Sequence, residues 1–161
     1  MRSLLMAMAI GLVGTSPLPM PVARAIDVSV TRFASGALES ASPMSRGIRH
    51  GVARRWYESG RVEAEWPYWR GEKVGRHQTW WPDGTPRVIA TYDHDVLVGE
   101  YRTYYENGAP YELRHYQQGH EEGVQQSWTA DGTVYLNYDV RNGRRYGLVN
   151  AKPCLPTGEG S

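Results

Sequence analysis

The sequence predicts an all-β fold, a single-layer antiparallel β-meander built from 24-residue hairpin repeats. Two observations support this prediction: three series of glycines share the 24-residue period, and an aromatic pair followed by a turn sequence recurs inside each period. Helices of useful length are disfavoured because the glycines recur too often and the runs between them are β-branched and aromatic. We count four full units from Gly51 to Tyr146, and a fifth unit that begins at Gly147 and does not close.

The glycines mark the turns of each unit. The second series follows the first by nine residues, and the third (Gly71, Gly119, Gly143) has Asp95 in the place of one glycine. A glycine after Asn or Asp, between two extended segments, predicts a hairpin because glycine adopts positive φ without steric cost. The structural glycines of the first two series are Gly51, Gly60, Gly75, Gly84, Gly99, Gly108, Gly123, Gly132 and Gly147.

Two consecutive positions before the first turn are aromatic in most units, as Trp56 and Tyr57 are in the first unit. Because side chains alternate along a strand, the two positions are expected to form rows on opposite faces of the sheet. One row must be the better buried, and we interpret stacked aromatics mainly as the support of a thin sheet. The other row is a platform for a protein strand or a glycan. The candidate binding residues are Tyr57, Trp66, Trp69, Trp81 and Tyr105.

The succession of glycine, four residues, two aromatics and a second glycine resembles the MORN-type repeat. It is most similar to the bacterial variant called the YwqK-family antitoxin-like repeat, and the similarity extends from Gly51 to about Gly147. The resemblance implies a gently twisted, single-layer β-meander and no catalytic site. Asp95, Thr129 and Val140 depart from the repeat pattern and weaken the second and fourth units.

The N-terminal segment has the pattern of a cleavable signal peptide. A single charge at Arg2 precedes an apolar run from Leu4 to Ile10, and Ala23-Arg24-Ala25 supplies a small-x-small cleavage site. The apolar run is well short of the ~20 residues that a membrane-spanning helix needs. Residues 1–25 are therefore predicted to be removed, which leaves a secreted or periplasmic protein with no membrane-spanning segment in the mature chain.

The mature chain divides into three predicted segments. Residues 26–46 are rich in Ser, Ala and Gly, and we interpret them as a spacer with room for one short capping strand. Residues 47–152 contain the four and a fraction MORN-like β-hairpin repeats. Residues 153–161, with their Pro and Gly, are predicted to be a flexible tail.

Charge gives no support for binding to nucleic acid or to anionic lipid. Removal of Arg2 and Arg24 from the 18 basic residues leaves 16, against 17 acidic residues, so the mature chain has a net charge near −1. Binding to nucleic acid is favoured by an excess of basic residues that neutralise phosphates. The predicted partner is therefore not nucleic acid.

No arrangement of residues in the sequence supports catalysis or a cofactor. Cys154 is the single cysteine and has no partner motif around it, and the five histidines fall at five different repeat offsets. The densest cluster, Asp93-His94-Asp95, is interpreted as a solvated turn. Cys154 and His94 are weak candidates for binding a metal such as Cu(I).

The sequence therefore predicts a non-enzymatic scaffold without a cofactor, whose partner is a protein of the cell envelope. Two alternatives stay open. The first is binding of carbohydrate or peptidoglycan through an aromatic face. The second is periplasmic copper handling through Cys154 and histidines.

The exported protein is expected to begin at Ile26, because signal peptidase cleaves after the small-x-small motif that ends at Ala25. Intact mass spectrometry of protein recovered from the periplasm or the medium measures the new N-terminus directly. A product that retains residues 1–25 would contradict the signal peptide.

Overall fold

A computed structural model describes residues 27–148, and every regular element in that range is a β-strand. No helix in this part of the chain is long and apolar enough to cross a membrane. The strands form one sheet of 14 strands. Their bounds are β1 (Asp27–Arg32), β2 (Leu38–Ser45), β3 (Ile48–Arg49), β4 (Gly51–Trp56), β5 (Val62–Trp69), β6 (Glu72–Lys73), β7 (Gly75–Trp80), β8 (Pro86–Asp93), β9 (Val96–Tyr104), β10 (Pro110–Gln117), β11 (His120–Glu121), β12 (Gly123–Trp128), β13 (Val134–Arg141) and β14 (Arg144–Leu148).

The sheet is a meander in which strands that are neighbours in sequence are neighbours in space. Its order is β1-β2-β4-β5-β7-β8-β9-β10-β12-β13-β14, and the two-residue strands β3, β6 and β11 pair with β2, β5 and β10. The pairs are antiparallel throughout the described chain. The predicted fold class, an all-β, single-layer meander of hairpins, is confirmed.

The first turn of each unit has the hydrogen bonds of a type I turn followed by a left-handed glycine. Gly60 N–H donates to the Tyr57 carbonyl at 2.8 Å, and Tyr57 N–H donates to the Arg61 carbonyl at 2.9 Å. Gly60 has a φ of 85°, at which a side chain would be strained. The same two bonds close the turns that contain Gly36, Gly84, Gly108 and Gly132.

The second turn joins successive units through two residues that both have positive φ, as two-residue type I′ hairpins require. His94 and Asp95 occupy one such turn, with φ of 47° and 66°. The Asp95 carboxylate accepts a hydrogen bond from Lys73 N–H at 2.9 Å, and Asp95 N–H donates to the Lys73 carbonyl at 3.0 Å. The missing glycine is therefore replaced by a side chain that binds the preceding unit.

Residues 27–45 differ from the predicted spacer, because they form a complete hairpin, β1 paired with β2. The turn glycine of this hairpin, Gly36, lies 24 residues before Gly60 and makes the same two hydrogen bonds. This unit is hidden in the sequence because Asp27 occupies the position of its first glycine. This segment therefore contains two paired strands, whereas the sequence predicted a spacer with room for one short strand.

The last strand of the described sheet is β14, which pairs with β13 along its length. It contains Gly147, the first glycine of the unit that the sequence predicted to be truncated, and Gly147 has a positive φ of 105°. The predicted signal peptide, the flexible tail and Cys154 lie outside the described residues.

The core is thin because the sheet has one layer. The buried apolar side chains of the described chain are few and mostly small, and three polar side chains are buried among them. Gln125 is fully buried, but its amide accepts from His115 N–H at 3.1 Å and donates to the His115 carbonyl at 3.0 Å. Its polar atoms therefore keep their partners on burial. The buried residues are Ala53, Ala64, His77, Ala90, Gln125, Ser127, Tyr138 and Val140.

Replacing Gly108 by Val is expected to destabilise the sheet by about 1–3 kcal/mol, because Gly108 has a φ of 82° and a β-branched side chain is strained there. Denaturant unfolding followed by Trp fluorescence measures the free energy of unfolding. Glu106→Ala is the matched control in the same turn, because Glu106 is exposed and its φ is not positive. Equal losses of stability in the two variants would contradict this account of the turn.

Candidate binding groove

One face of the sheet carries a groove of 690 Å³ that crosses the strands from β2 to β9. On β5 and β8 its lining residues come from alternate positions of the strand, whereas β4 and β7 each contribute three consecutive residues. We call this feature the groove. Its principal lining side chains are Arg49, Trp66, Tyr68, Lys73, His77 and Tyr92.

Small side chains form the floor of the groove between larger ones. Ala53 lies opposite Trp66 on the neighbouring strand, and Ala90 lies opposite His77. Ala53 and Ala90 are buried, with only 4% and 2% of their surface exposed. Each strand pair therefore combines one small and one large side chain, which leaves a depression between ridges.

Two cations lie over two tyrosine rings along one side of the groove. The Arg49 guanidinium is 5.1 Å from the centre of the Tyr68 ring, and its Nη1 donates to the Tyr68 hydroxyl at 3.3 Å. The Lys73 ammonium is 5.0 Å from the centre of the Tyr92 ring. Both the cations and the rings are separated by 24 residues, so the second pair repeats the first in the next unit.

His77 is buried in the groove, with 6% of its surface exposed. Its Nε2 lies 3.0 Å from the Pro67 carbonyl oxygen, and its ring contacts Tyr92 and Tyr68 at centroid distances of 4.8 and 5.8 Å. Burial lowers the pKa of His77 below its usual value. The ring is therefore neutral near pH 7, with its proton placed on Nε2 by the carbonyl acceptor.

The position of His77 in the repeat has a structural role. Between β5 and β7 the ladder pairs only two residues of each strand, which leaves a gap in the regular pairing. The His77 side chain binds across this gap to Pro67. Gln125 lies 48 residues later, at the same repeat position, and binds His115, which corresponds to Pro67. In two units, therefore, a side chain with a polar nitrogen binds across the gap in strand pairing at the same repeat position.

Two of the predicted binding residues lie in different depressions. Trp66 lines the groove. Trp69 lies outside it, in a depression of 520 Å³ near the second turn, and is 49% exposed. Its ring packs against His50 at a centroid distance of 4.4 Å, and Arg70 lies 5.8 Å from the ring centre. The two tryptophans are therefore candidates for separate ligands.

The other three predicted binding residues, Tyr57, Trp81 and Tyr105, are half-buried and bind the next unit. The Tyr57 hydroxyl donates to the Trp80 carbonyl at 2.8 Å, and the Tyr105 hydroxyl donates to the Trp128 carbonyl at 2.9 Å. The Trp81 indole N–H donates to the Tyr104 carbonyl at 3.3 Å. The row of Trp56, Trp80, Tyr104 and Trp128 is half-buried too, so burial does not distinguish the two rows.

His94, the weak metal candidate, is exposed on its turn. Its Nδ1 lies 2.7 Å from the Asp93 carboxylate, and its Nε2 lies 4.0 Å from that of Glu72. Between residues 27 and 148, no group of three His, Cys, Asp or Glu side chains could hold a metal ion. Metal binding that involves Cys154 stays a prediction, since Cys154 is not among the described residues.

Sequence reasoning selected Trp66 among the principal groove residues and did not select the other five: Arg49, Tyr68, Lys73, His77 and Tyr92. The signal that could have found the two cations is their separation, which equals one repeat, as does that of the tyrosines beneath them. His77 has no such signal, because the corresponding positions hold Ala53, Tyr101 and Gln125.

The comparison with known families agrees with this architecture. Residues 49–70 and residues 97–118 match the MORN repeat variant. The two matches begin 48 residues apart, which is two periods. The first contains the hairpin β4–β5, and the second contains β9–β10 except for Val96. No curated protein matches the chain as a relative.

Acid is expected to destabilise the wild-type protein more than His77→Gln. Because the pKa of His77 is lowered by folding, its contribution to stability is complete above the unfolded pKa of about 6.5 and is lost as the pH falls below it. Gln occupies the same position in a later unit, so this variant should cost less than about 1.5 kcal/mol at pH 7.5.

Urea unfolding at pH 7.5 and pH 5.0 measures the difference between the two proteins. His94→Gln is the matched control, because His94 is exposed. If His77→Gln keeps the full pH dependence of the wild type, the assignment of a neutral His77 is wrong.

Proposed function

We propose that this MORN-type repeat protein is an exported, non-enzymatic scaffold that binds a protein partner of the cell envelope through its groove. The groove is the observation that carries the proposal. It spans six adjacent strands, β2, β4, β5, β7, β8 and β9, which corresponds to a length of about 24 Å. An extended peptide of about seven residues has this length.

The chemistry of the groove favours a peptide. Aromatic rings line it, small side chains form its floor, and two cations lie on its side, so apolar and polar groups of a bound chain both find partners. Among the described residues no second layer of structure covers this face. The Trp and Tyr rings that line the groove are half-buried, so part of each ring is accessible to a ligand.

The surroundings of His77 support a non-enzymatic role. Its ring contacts two tyrosine rings and its Nε2 binds a backbone carbonyl. A general base acts instead on a nucleophile or a substrate proton within hydrogen-bond reach. The signal-peptide pattern of residues 1–25 supports export, and with it a partner in the envelope.

Carbohydrate binding is the second candidate function, and Trp69 is the observation that favours it. Its half-exposed ring lies beside a separate depression that also contains His50 and Arg70. An aromatic ring with polar neighbours is suited to the apolar face and the hydroxyls of a sugar. Titration with soluble peptidoglycan fragments should quench Trp fluorescence in the wild type and not in Trp69→Ser if this candidate is correct.

Filling the groove is expected to reduce retention of the envelope partner at least about tenfold, a loss of about 1.4 kcal/mol. Ser42→Trp places a large ring at the groove without removing any ring that supports the sheet. Affinity capture from an envelope extract, with quantitative mass spectrometry, compares this variant with the wild type. Tyr92→Ser is a second variant, which removes a lining ring.

Trp69→Ser is the matched control for capture, because Trp69 is exposed and lies outside the groove. Melting temperatures measured in parallel identify variants that bind less because they are unfolded. Unchanged retention by folded Ser42→Trp and Tyr92→Ser proteins would refute binding through the groove.

A further inference from the structure

We infer that the groove binds a polyproline-II segment that carries an acidic side chain at every third residue. This inference rests on the proposed function and names the class of its partner. Its basis is the repetition of the pairs Arg49–Tyr68 and Lys73–Tyr92 with the period of the sheet.

Arg49 and Lys73 are the cations of the groove that have no acidic partner. Among residues 27–148, no carboxylate oxygen lies within 4.0 Å of a charged nitrogen of either side chain, although the Asp95 carboxylate accepts from the backbone N–H of Lys73. The other basic side chains that line the groove are paired: Arg54 with Glu65 at 2.7 Å, and Arg55 with Glu63 at 2.8 Å. Two cations are therefore available to carboxylates from another chain.

The rings beneath these cations hold them in position. A guanidinium that stacks on an aromatic face keeps most of its N–H donors free at its edge. Arg49 uses one of them on the Tyr68 hydroxyl. The Lys73 ammonium lies over the Tyr92 ring and is half-buried, so its position is restricted before a ligand arrives. Restricting a cation in advance lowers the entropy lost on binding a carboxylate.

The spacing of the two cations selects the conformation of the ligand. Equivalent positions in successive units are separated by two strands, about 10 Å. In a polyproline-II helix every third residue returns to the same side after about 9.3 Å. In a β-strand the same side recurs after about 6.8 Å, and the third residue points to the opposite side. Polyproline II is therefore the conformation that brings successive carboxylates to Arg49 and Lys73.

The remainder of the groove is suited to such a ligand. The Tyr68 and Tyr92 rings repeat with the same spacing as the cations, and the His77 ring lies between them and contacts both. Grooves lined by aromatic rings commonly bind polyproline-II segments, whose conformation is already ordered. Glu39 is the carboxylate that lines the groove, on β2, and it disfavours acidic side chains at that end.

The probe for this inference is a synthetic, fluorescently labelled peptide of four Glu-Pro-Pro triplets. Fluorescence anisotropy with the mature protein should give saturable binding that weakens as the salt concentration rises. The same peptide with Gln in place of Glu, and a peptide of equal composition with its Glu residues adjacent, should each bind at least about tenfold more weakly.

The variant Arg49→Gln/Lys73→Gln should lose at least about tenfold in affinity for the Glu-Pro-Pro peptide. Arg70→Gln/Arg87→Gln is its matched control. It removes the same charge from two other cation–π pairs, with Trp69 and Trp81, outside the groove. Arg49→Glu/Lys73→Glu should instead prefer a peptide of Lys-Pro-Pro triplets, which tests the contact without depending on loss of function.

Absence of binding, equal binding of the Glu and Gln peptides, or full affinity in Arg49→Gln/Lys73→Gln would each overturn the inference. The capture experiment separates this failure from that of the proposed function. If Ser42→Trp loses the envelope partner while Arg49→Gln/Lys73→Gln retains it, the groove binds a protein but not an acidic one. If both variants retain the partner, the groove is not the binding surface.

Discussion

Hydrogen bonds between successive units are the interaction on which this single-layer sheet depends. At the second turns, Gly71 N–H donates to the Arg49 carbonyl at 2.8 Å and Gly119 N–H donates to the Leu97 carbonyl at 3.0 Å. At the first turns, the Tyr57 side chain reaches the backbone of the following unit. A single layer has no opposing layer against which to bury a large apolar face. Hydrogen bonds therefore connect successive units at both sets of turns. The aromatic rows contribute to these connections as well as to the core.

The same period that joins the units also spaces the chemistry of the groove. Equivalent residues of successive units lie two strands apart. The distance between the positions of Arg49 and Lys73 is therefore determined by the backbone and not by side-chain packing. A substitution in one unit changes the side chain at one of these positions and leaves the equivalent positions of the other units unchanged. Binding specificity can therefore reside in a few positions per unit, while the turn glycines keep the scaffold constant.

Turns and repeat period could be predicted from the sequence because each depends on a residue and its immediate neighbours, as positive φ does at Gly108. The exposure of the aromatic rows could not, because a bulge between Arg55 and Trp56 interrupts the alternation on which that prediction depends. The first hairpin was hidden because Asp27 occupies a glycine position. Of the groove, sequence reasoning selected Trp66 alone, because its other residues converge only through the register of strands that lie in different units.

The series of cations along the side of the groove ends after Lys73, so the two halves of the sheet differ in charge at these positions. After Arg49 and Lys73, the corresponding positions hold Leu97 and Glu121. Glu121 accepts hydrogen bonds from the Tyr138 hydroxyl at 2.9 Å and from Arg145 at 3.2 Å. In the C-terminal half, then, the chain supplies its own carboxylate to a cation of the next unit. In the N-terminal half, Arg49 and Lys73 occupy these positions without such a carboxylate, and for this reason the inferred acidic ligand is assigned to that half.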